Sequence, residues 1–456
     1  MDISLVKKGY NKKSIIKSLF QKSVLKNINL TTKSIGIMFI ATSVVNITNF
    51  FYHIIMGRLL GPSEYGVLTS IISFLFISSA IMATVQTTSA RYASVHMAQD
   101  SIVKIKSFFY SITKRLLVFS VVIFIVIIVL LNKITSFLKI DSIYPIIFLG
   151  IMIIEGSLIS VGRGTLQGIK KFKSLGINSV LEVLLKLILG IILVYFGFKA
   201  NGAIFGFMLA TLLSYLFIFL PLRNVLIKKI DSGIDSKVDI REFYKSIFFI
   251  LISTIIFSLI SYTDIILVKH FFSSSDTGFY SAAAQIGRII LFFPGAVGVV
   301  IFPRLSEKYT KKENINITFF KGSAIIALIS VGFLIVYYFF PEFLMNLIYG
   351  SKYLDASGLI FRYGIFMTFI SLITLQIFYF ISIGRYWYLI YSFFILIEQI
   401  AVIWLYHNNL GLILLILIIN SFVLFLLNLI LIIFYSRKTK NKNYETGKDL
   451  SINTGL

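Results

Sequence analysis

Long apolar stretches recur along the whole chain and are separated by short polar connections. The number of apolar residues in each stretch is close to the ~20 that an α-helix needs to cross the hydrocarbon core of a bilayer. None of the stretches shows the ~10-residue alternation of a transmembrane β-barrel strand. The pattern therefore predicts an all-α polytopic membrane protein with about 12 transmembrane helices, at residues 34–56, 66–90, 116–132, 143–161, 177–197, 202–222, 247–268, 279–302, 323–340, 358–383, 387–406 and 410–435.

The composition agrees with this pattern. Hydrophobic residues make up 57% of the 456 residues and aromatic residues 16%, which is too apolar for one water-soluble globule. Cysteine is absent and only four His are present, so we expect no disulfide, no metal site and no cofactor. The basic segment 1–33 lacks an apolar core followed by a cleavage site, so we predict no removable signal peptide.

The charge distribution predicts the topology. With the N-terminus inside, 34 of the 43 Lys and Arg residues fall in cytoplasmic segments and six fall on the opposite side. The asymmetry places both termini in the cytoplasm and the chain in the cell membrane. The net charge of +24 is then a topology signal that also suits anionic membrane lipids, and we expect no nucleic-acid binding.

The polar connection after the first span recurs after the seventh. The sequence "RLLGPSEYG" occupies 58–66 and "HFFSSSDTG" occupies 270–278, and the two align without a gap at a shift of 212 residues. The same shift carries span 1 onto span 7 and span 2 onto span 8. This repeat predicts two pseudo-symmetric six-helix lobes around a central cavity. We divide the chain into a basic cytoplasmic segment (1–33), an N-terminal lobe (34–222), a cytoplasmic linker (223–246), a C-terminal lobe (247–435) and a cytoplasmic tail (436–456).

Ionisable side chains inside the spans are the first candidates for function. Each costs ~2.5–3.5 kcal/mol at the centre of a membrane helix unless it faces protein or water. Ser281, Gln285 and Arg288 recur at helical spacing and form a polar stripe on span 8 that is expected to face the cavity. The ionisable set is Glu155, Glu182, Lys186, Asp264, Arg288, Arg362 and Glu398.

Three stretches resemble a known family. They are "RLLGPSEYG", "LEVLLKLILG" in span 5, and "SYTDIILVKHFFSSSDTGFYSAAAQIGRIILFFPGAVGVVIFPRLSE" across spans 7 and 8. They look like the polysaccharide transporter family, the Wzx-type O-antigen flippases, within the multidrug/oligosaccharidyl-lipid/polysaccharide exporter superfamily. The resemblance implies export of polyprenyl-(pyro)phosphate-linked oligosaccharide repeat units to the outer leaflet by alternating access. It further implies that polysaccharide polymerase and glycosyltransferases are partners.

Such a cargo has an anionic phosphate and a polar sugar, and a buried guanidinium can hold phosphate oxygens by paired hydrogen bonds. We therefore predict substrate binding by Arg288 first and Arg362 second. In the alternative interpretation each Arg only pairs with a carboxylate, Arg362 snorkels to the interface, and Arg91 follows the inside-charge rule. The complete predicted set for cargo is Arg288, Gln285, Ser281, Arg362, Asn49, Gln86 and Arg91.

The remaining charges are predicted to couple transport to an ion. Asp264 has no charged neighbour three or four residues away, so its partner must come from another helix or from water. Glu182 and Lys186 lie four residues apart, where an internal ion pair is the simplest explanation and cavity lining the alternative. Glu155 and Glu398 complete the predicted set. A desolvated carboxylate can exchange a proton as the cavity opens to either side.

Other functional classes are disfavoured. The sequence has no phosphate-binding loop for ATP and no nucleophile elbow, and we predict that the protein is not an enzyme. A multidrug or cation antiporter of the same superfamily is the main alternative function, favoured by a cavity of carboxylates and aromatic residues without a central Arg. A membrane glycosyltransferase or polymerase needs large outer loops with paired acids, whereas the predicted outer loops are short.

Overall fold

The structure, a computed structural model, describes residues 12–99, 101–227, 240–292, 297, 301, 302, 304, 305, 307–309, 311 and 313–452. These residues form helices and connections without a strand, so the predicted all-α class is confirmed. The helices are α1 (Lys12–Ala98), α2 (Ile102–Val129), α3 (Leu131–Leu138), α4 (Tyr144–Gly168), α5 (Phe172–Leu193), α6 (Lys199–Leu226), α7 (Ile240–Phe271), α8 (Ser274–Gly287), α9 (Asn316–Phe339), α10 (Pro341–Tyr349), α11 (Ser357–Ser382), α12 (Tyr388–Leu405) and α13 (Leu410–Ile452). Parts of the predicted segments 1–33, 223–246 and 436–456, at 1–11, 228–239 and 453–456, lie outside the described residues, and these segment boundaries stay predictions.

Helix α1 contains the first two predicted spans and folds back at one residue. Gly61 has φ 71° and ψ 175°, a conformation that glycine adopts readily, and Pro62 then starts the second arm. His53 Nδ1 lies 3.2 Å from Tyr65 Oη, although 12 residues of straight helix would separate them by about 18 Å along the axis. The predicted nine-residue turn is therefore a reversal at Gly61, and we call this end of the bundle the Gly61 end.

The chain also reverses between α5 and α6. A π-helical segment, Val194–Phe198, contains Gly197 at φ 88°, and Asn178 of α5 donates to the Ser214 carbonyl of α6 at 2.8 Å. Nine helical stretches in the described part are long and apolar enough to cross a membrane. With the two reversing stretches each counted as two helices, eleven of the twelve predicted spans are found. The twelfth, 279–302, is described only in part.

Two short helices were not predicted. Helices α3 and α10 have eight and nine residues, too few to cross a membrane. Each follows a spanning helix of its own half of the chain, and each ends in the left-handed region, at Lys139 (φ 48°) and Gly350 (φ 90°). Both lie at the Gly61 end and contact the opposite half, as the hydrogen bonds below show.

The two halves of the chain meet at residues that the shift of 212 makes equivalent. Thr69 Oγ1 donates to Ser281 Oγ at 2.7 Å, and these two residues are themselves 212 positions apart. A Cβ added to Gly66 would lie 2.8 Å from the Gly278 nitrogen, and one added to Gly278 would lie 2.8 Å from Pro62 Cα. Residues that are equivalent in the sequence repeat therefore contact each other across the boundary between the halves, as in a twofold interface between identical subunits.

The same symmetry governs two clamps at the Gly61 end. Arg58 Nε and Nη2 donate to the carbonyls of Ile348 and Leu347, at the C-terminal end of α10, at 2.8 and 2.5 Å. His270, the equivalent of Arg58, donates Nδ1–H to the carbonyl of Phe137, at the end of α3, at 2.7 Å. Both contacts satisfy carbonyls that a helix end leaves without a partner. They join the two halves at the Gly61 end.

Candidate functional site

A buried acid–base cluster lies in the C-terminal half. Asp264 of α7 is fully buried, and its Oδ2 accepts hydrogen bonds from Tyr280 and Tyr363, each at 2.9 Å. Arg288 Nη2 lies 3.9 Å from Asp264 Oδ1 and donates to the Ser261 carbonyl at 3.1 Å. The partners of Asp264 come from α8 and α11 and from the 3₁₀ turn after α8, so the expectation that they lie outside α7 is confirmed.

This cluster leaves polar groups without partners. Asp264 Oδ1 and Arg288 Nε are buried and have no hydrogen bond within the described structure. The guanidinium instead lies over the ring of Tyr262, 4.4 Å from its centroid. Tyr262 stacks on Phe76 of the N-terminal half with the ring centroids 4.7 Å apart. Arg288 is therefore held near the boundary between the halves by contacts that leave part of its hydrogen-bonding capacity unused.

The N-terminal half contains a more completely bonded ion pair. Arg163 of α4 donates to Glu182 of α5, and their side chains are both 16% exposed. Arg163 Nε also donates to Asn178 Oδ1 at 2.8 Å, and its Nη2 to Ser214 Oγ at 3.3 Å. Thr211 Oγ1 donates to the second carboxylate oxygen of Glu182 at 3.3 Å. Both charges thus have a counter-charge and further hydrogen bonds, as a stable buried pair requires.

Because Glu182 pairs with Arg163, the predicted i,i+4 pair between Glu182 and Lys186 is wrong. Lys186 is 5% exposed and donates to Asn49 Oδ1 of α1. Its Nζ lies 4.4 Å from the ring centroid of Tyr52 and 4.7 Å from that of Phe207. A Lys on an aromatic face gains cation–π stabilisation, which the ring supplies without a counter-charge.

His53 connects this region to the Gly61 end. The buried imidazole lies edge-on to the ring of Tyr52, which carries Lys186 on its face, and the centroids of the two rings are 5.8 Å apart. The hydroxyl of Tyr65, which contacts His53 Nδ1, lies 3.1 Å from the hydroxyl of Tyr349 in α10. A continuous set of contacts therefore runs from Lys186 to the helix that Arg58 clamps.

Comparison with known proteins gives the family. The family described as "Polysaccharide biosynthesis protein" matches residues 55–358, about two thirds of the chain. The chain belongs to this family. It is 24% identical over 313 residues to a putative O-antigen transporter of Shigella flexneri, covering 65% of the chain and 72% of that protein. An uncharacterised membrane protein of Methanocaldococcus jannaschii is 28% identical over 173 residues, which span 35% of the chain and only 40% of the archaeal protein.

A solved structure gives the fold. The inward-facing conformation of a multidrug resistance MATE family transporter of the MOP superfamily superposes with a TM-score of 0.69 at 16% identity. The superposition covers 89% of this chain and 99% of that one. The resemblance of the sequence to the Wzx-type polysaccharide transporters is thus confirmed at the level of family and fold, and the protein is a multi-pass membrane protein of the polysaccharide biosynthesis family.

The three residues of the predicted polar stripe on span 8 do not face a common surface in the structure. Ser281 is fully buried and accepts from Thr69, so it holds the two halves together. Gln285 is half-buried one turn further on, and Arg288 turns towards α7. Among the three, Arg288 has a buried donor atom, Nε, without a hydrogen-bond partner.

The other predicted cargo residues lie apart from Arg288. Arg362 is exposed and its guanidinium lies against Gly411 at the start of α13, as the snorkelling interpretation expects. Gln86 donates to Gln167 at 3.3 Å and Arg91 is exposed, both towards the end opposite Gly61. Asn49, by contrast, contacts Lys186. Their role in cargo binding stays a prediction.

The predicted coupling carboxylates also differ in their surroundings. Glu155 is buried in α4, and its Oε2 has no hydrogen-bond partner in the described structure. Glu398 is exposed, whereas its neighbour Gln399 is buried and donates to the Ile260 carbonyl at 3.2 Å. In the described residues, no group of three or more His, Asp and Glu side chains is placed to hold a metal ion.

Sequence reasoning missed the aromatic part of the site. Tyr280 and Tyr363 bond Asp264, and Tyr262 supports Arg288, yet 24 Tyr residues in an aromatic-rich chain gave no reason to select these three. Tyr363 directly follows Arg362, the residue that was selected for its charge. No spacing in the sequence pairs Tyr280 with Asp264, because the two residues are 16 positions apart and the chain reverses between α7 and α8.

Proposed function

We propose that the protein is a flippase that moves polyprenyl-(pyro)phosphate-linked oligosaccharide from the cytoplasmic to the outer leaflet of the cell membrane. The observation that carries this proposal is Arg288. A buried guanidinium that faces its carboxylate only at 3.9 Å and has an unbonded Nε retains donors for phosphate oxygens. Family membership and the match to a putative O-antigen transporter support the same cargo.

The conformation supports alternating access. In the described residues, the hydrogen bonds that join the halves lie at the Gly61 end, through Thr69, Arg58 and His270. We assign the Gly61 end to the outer face, because the exposed basic residues Arg91 and Lys173 lie at the other end. The described state is then closed outside, like the inward-facing transporter that it resembles. The basic end is suited to anionic lipids of the cytoplasmic leaflet.

Asp264 and Glu155 are the proposed coupling groups. A buried carboxylate near a cation in one state and near water in the other takes up and releases a proton or a sodium ion. Glu182 would have to leave Arg163 before it could exchange an ion, and the exposed Glu398 lacks the burial that such a group needs in the described state. Polymerase and glycosyltransferases are proposed partners that consume and supply the cargo.

The test is transfer of a fluorescent polyprenyl-diphosphate oligosaccharide between leaflets of reconstituted vesicles, measured by a quencher that acts on one leaflet only. We expect Arg288→Gln to slow transfer at least about tenfold, the effect of losing one hydrogen bond to a charged group. Lys352→Gln, which removes an exposed cation at the Gly61 end, is the matched control and should transfer normally.

Arg288→Lys keeps a charge and should retain part of the activity, which separates cargo binding from misfolding. Transfer by Arg288→Gln at the parent rate would contradict the assignment of Arg288. Export of cationic dyes without transfer of the lipid-linked sugar would identify the multidrug antiporter instead. Transfer that is unaffected by proton and sodium gradients would contradict the coupling proposal alone.

A further inference from the structure

The halves are joined at the Gly61 end by two seams, one on each side of the contact between Thr69 and Ser281. Those two residues are equivalent and bond to each other, so the pseudo-twofold axis passes between them. The α10 seam joins α1 to α10 and to the 3₁₀ turn after it, Ser351–Ala356. The α3 seam joins α7 to α3 and to Lys139. The axis relates the two seams, yet their side chains differ in kind.

The α10 seam is aromatic and buried. Tyr65, Tyr349 and Tyr353 are each at most 3% exposed, and the hydroxyls of Tyr65 and Tyr349 lie 3.1 Å apart. Tyr353 donates to the Gly57 carbonyl at 2.8 Å. A Cβ added to Gly57 would lie 2.5 Å from the ring of Tyr349, so this ring packs directly on the backbone of α1. Arg58 closes the exposed edge of the seam with its two bonds to α10.

The α3 seam is held mainly by basic side chains. Lys269 Nζ donates to the Lys139 carbonyl at 3.2 Å, and Lys139 Nζ donates back to the Phe271 carbonyl at 3.3 Å. Both bonds are at the long end of the usual range, and Lys139 is exposed. The His270 ring stacks on that of Phe137 with the centroids 4.0 Å apart. This seam therefore depends on polar bonds that water can replace.

The two seams differ in what their separation would expose. The shift of 212 converts Gly57 into Lys269 and Tyr353 into Asp141. Parting the α10 seam would bring three buried tyrosine rings into contact with water, which is unfavourable for their apolar surface. Parting the α3 seam would hydrate the ammonium group of Lys269, which is fully buried against a carbonyl and a hydroxyl. Hydration of a buried charge offsets part of the cost of separation.

We propose that the α10 seam is the hinge of the outer closure and that the α3 seam is the part that opens. The halves swing apart about α10, and the contact between Thr69 and Ser281 on the axis parts with them. The gap leads sideways into the membrane beside Trp404, which borders the α3 seam and is 47% exposed. In a part of the inference that rests on the proposed function, the lipid tail of the cargo leaves through this gap, because the hinge side stays closed.

The test bridges one seam at a time with a short bis-maleimide, in a chain that has no natural Cys. The pair for the α10 seam is Arg58→Cys with Leu347→Cys, and the pair for the α3 seam is Lys139→Cys with Phe271→Cys. In each pair a cation is replaced together with the residue whose carbonyl it contacts. Leaflet transfer should fall at least about tenfold when the α3 seam is bridged and stay within about twofold when the α10 seam is bridged.

The rates are compared with those of the same double variants before bridging, and single Cys variants treated with the reagent control for its attachment. Loss of transfer in both bridged variants would overturn the inference, because the outer end would then open symmetrically. Loss in the bridged α10 seam alone would reverse the hinge and the opening. Full transfer in both would show that neither seam has to part.

Hydrogen exchange of the purified protein, measured by mass spectrometry, tests the seams without transport. Segments 131–142 and 343–354 are equivalent under the shift of 212 and contain the seam-forming residues of the two short helices and the turns after them. We expect amides of 131–142 to exchange at least about tenfold faster, because opening of the α3 seam exposes them. Bridging that seam should remove the difference, which separates seam opening from fraying of α3 alone.

Equal exchange in the two segments, faster exchange in 343–354, or a difference that persists after bridging would contradict the hinge. Because this measurement needs no cargo, a protein that shows the expected exchange but transfers no lipid-linked sugar refutes the flippase function and leaves the hinge standing.

Discussion

Each half of the chain contains an ion pair inside its helix bundle, and the two pairs differ in how completely they are hydrogen-bonded. In the N-terminal half, Arg163 and Glu182 contact directly and are bonded further by Asn178, Ser214 and Thr211. In the C-terminal half, Arg288 and Asp264 stand 3.9 Å apart, and each keeps one buried atom without a partner. A fully bonded pair fixes the packing of the helices that carry it, whereas an incompletely bonded pair can exchange partners. The comparison teaches that a charge in a membrane helix indicates function most strongly where its bonding is incomplete.

The largest expected effect comes from preventing the halves from moving relative to each other. The natural chain has no Cys, so Thr69→Cys with Ser281→Cys introduces the sole pair of thiols. The two hydroxyl oxygens are 2.7 Å apart, which brings the replacing sulfurs close to bonding distance. We expect oxidation to abolish leaflet transfer and reduction to restore it, measured in the vesicle assay.

Each single Cys variant, treated with the same oxidant, is the control and should keep its activity. Full transfer by the oxidised, cross-linked double variant would show that the Gly61 end need not open. In that case the difference between the ion pairs in the two halves would be a matter of packing and not of transport.

The next largest effect is expected from breaking the fully bonded pair of Arg163 and Glu182. Glu182→Gln leaves Arg163 buried without a counter-charge, which costs about 3 kcal/mol of unfolding free energy, at the lower end for buried pairs because both side chains are 16% exposed. The measurement is denaturant unfolding of the purified protein in detergent. Glu313→Gln changes an exposed carboxylate in the same way and should alter stability by less than about 0.5 kcal/mol.

A loss as small as that of Glu313→Gln would mean that the Arg163 pair is not structural. Leaflet transfer per folded molecule should be unchanged in Glu182→Gln, because Asn178 and Ser214 still accept hydrogen bonds from Arg163 and hold its guanidinium in place. A large change in the rate of transfer would place Arg163 in the transport site and remove the contrast between the halves.

Features that depend on residues close together in the sequence could be predicted, whereas contacts that depend on the packing of distant helices could not. The spanning helices were predictable because each depends on ~20 consecutive residues, and the repeat at a shift of 212 predicted that Gly66 and Gly278 are equivalent. The partner of Glu182 was not predictable, because Lys186 at four residues and Arg163 at nineteen compete and only the packing of α4 on α5 decides. Helices α3 and α10 were missed because eight or nine residues are too short for a membrane pattern.

The boundary between the halves offers a smaller, purely steric test. Gly278→Ala places a Cβ 2.6 Å from the carbonyl carbon of Pro62, which is backbone and cannot turn aside. We expect a loss of about 2 kcal/mol, typical of overpacking, in the same denaturant unfolding measurement. Gly332→Ala is the matched control in α9: nothing lies within 4 Å of its added Cβ, so it should be neutral or stabilising by up to ~1 kcal/mol. Equal stability of the two variants would show that the halves are not in close contact at Gly278.

Asp264→Asn is expected to have the smallest effect on stability. It tests the difference between the ion pairs of the two halves most directly. Asparagine keeps an oxygen that accepts from Tyr280 and Tyr363, and the interaction lost with Arg288 spans 3.9 Å, so we expect a cost of about 1 kcal/mol. The substitution also frees Arg288 from its competing carboxylate. Farnesyl diphosphate, a ligand that carries the isoprenoid and diphosphate groups of the proposed cargo, should then bind more tightly than to the parent in titration calorimetry, whereas Arg288→Gln should weaken its binding. A destabilisation as large as that of Glu182→Gln, with unchanged affinity, would show that the C-terminal pair is as structural as the N-terminal one, and Arg288 would then have no donor to offer a phosphate.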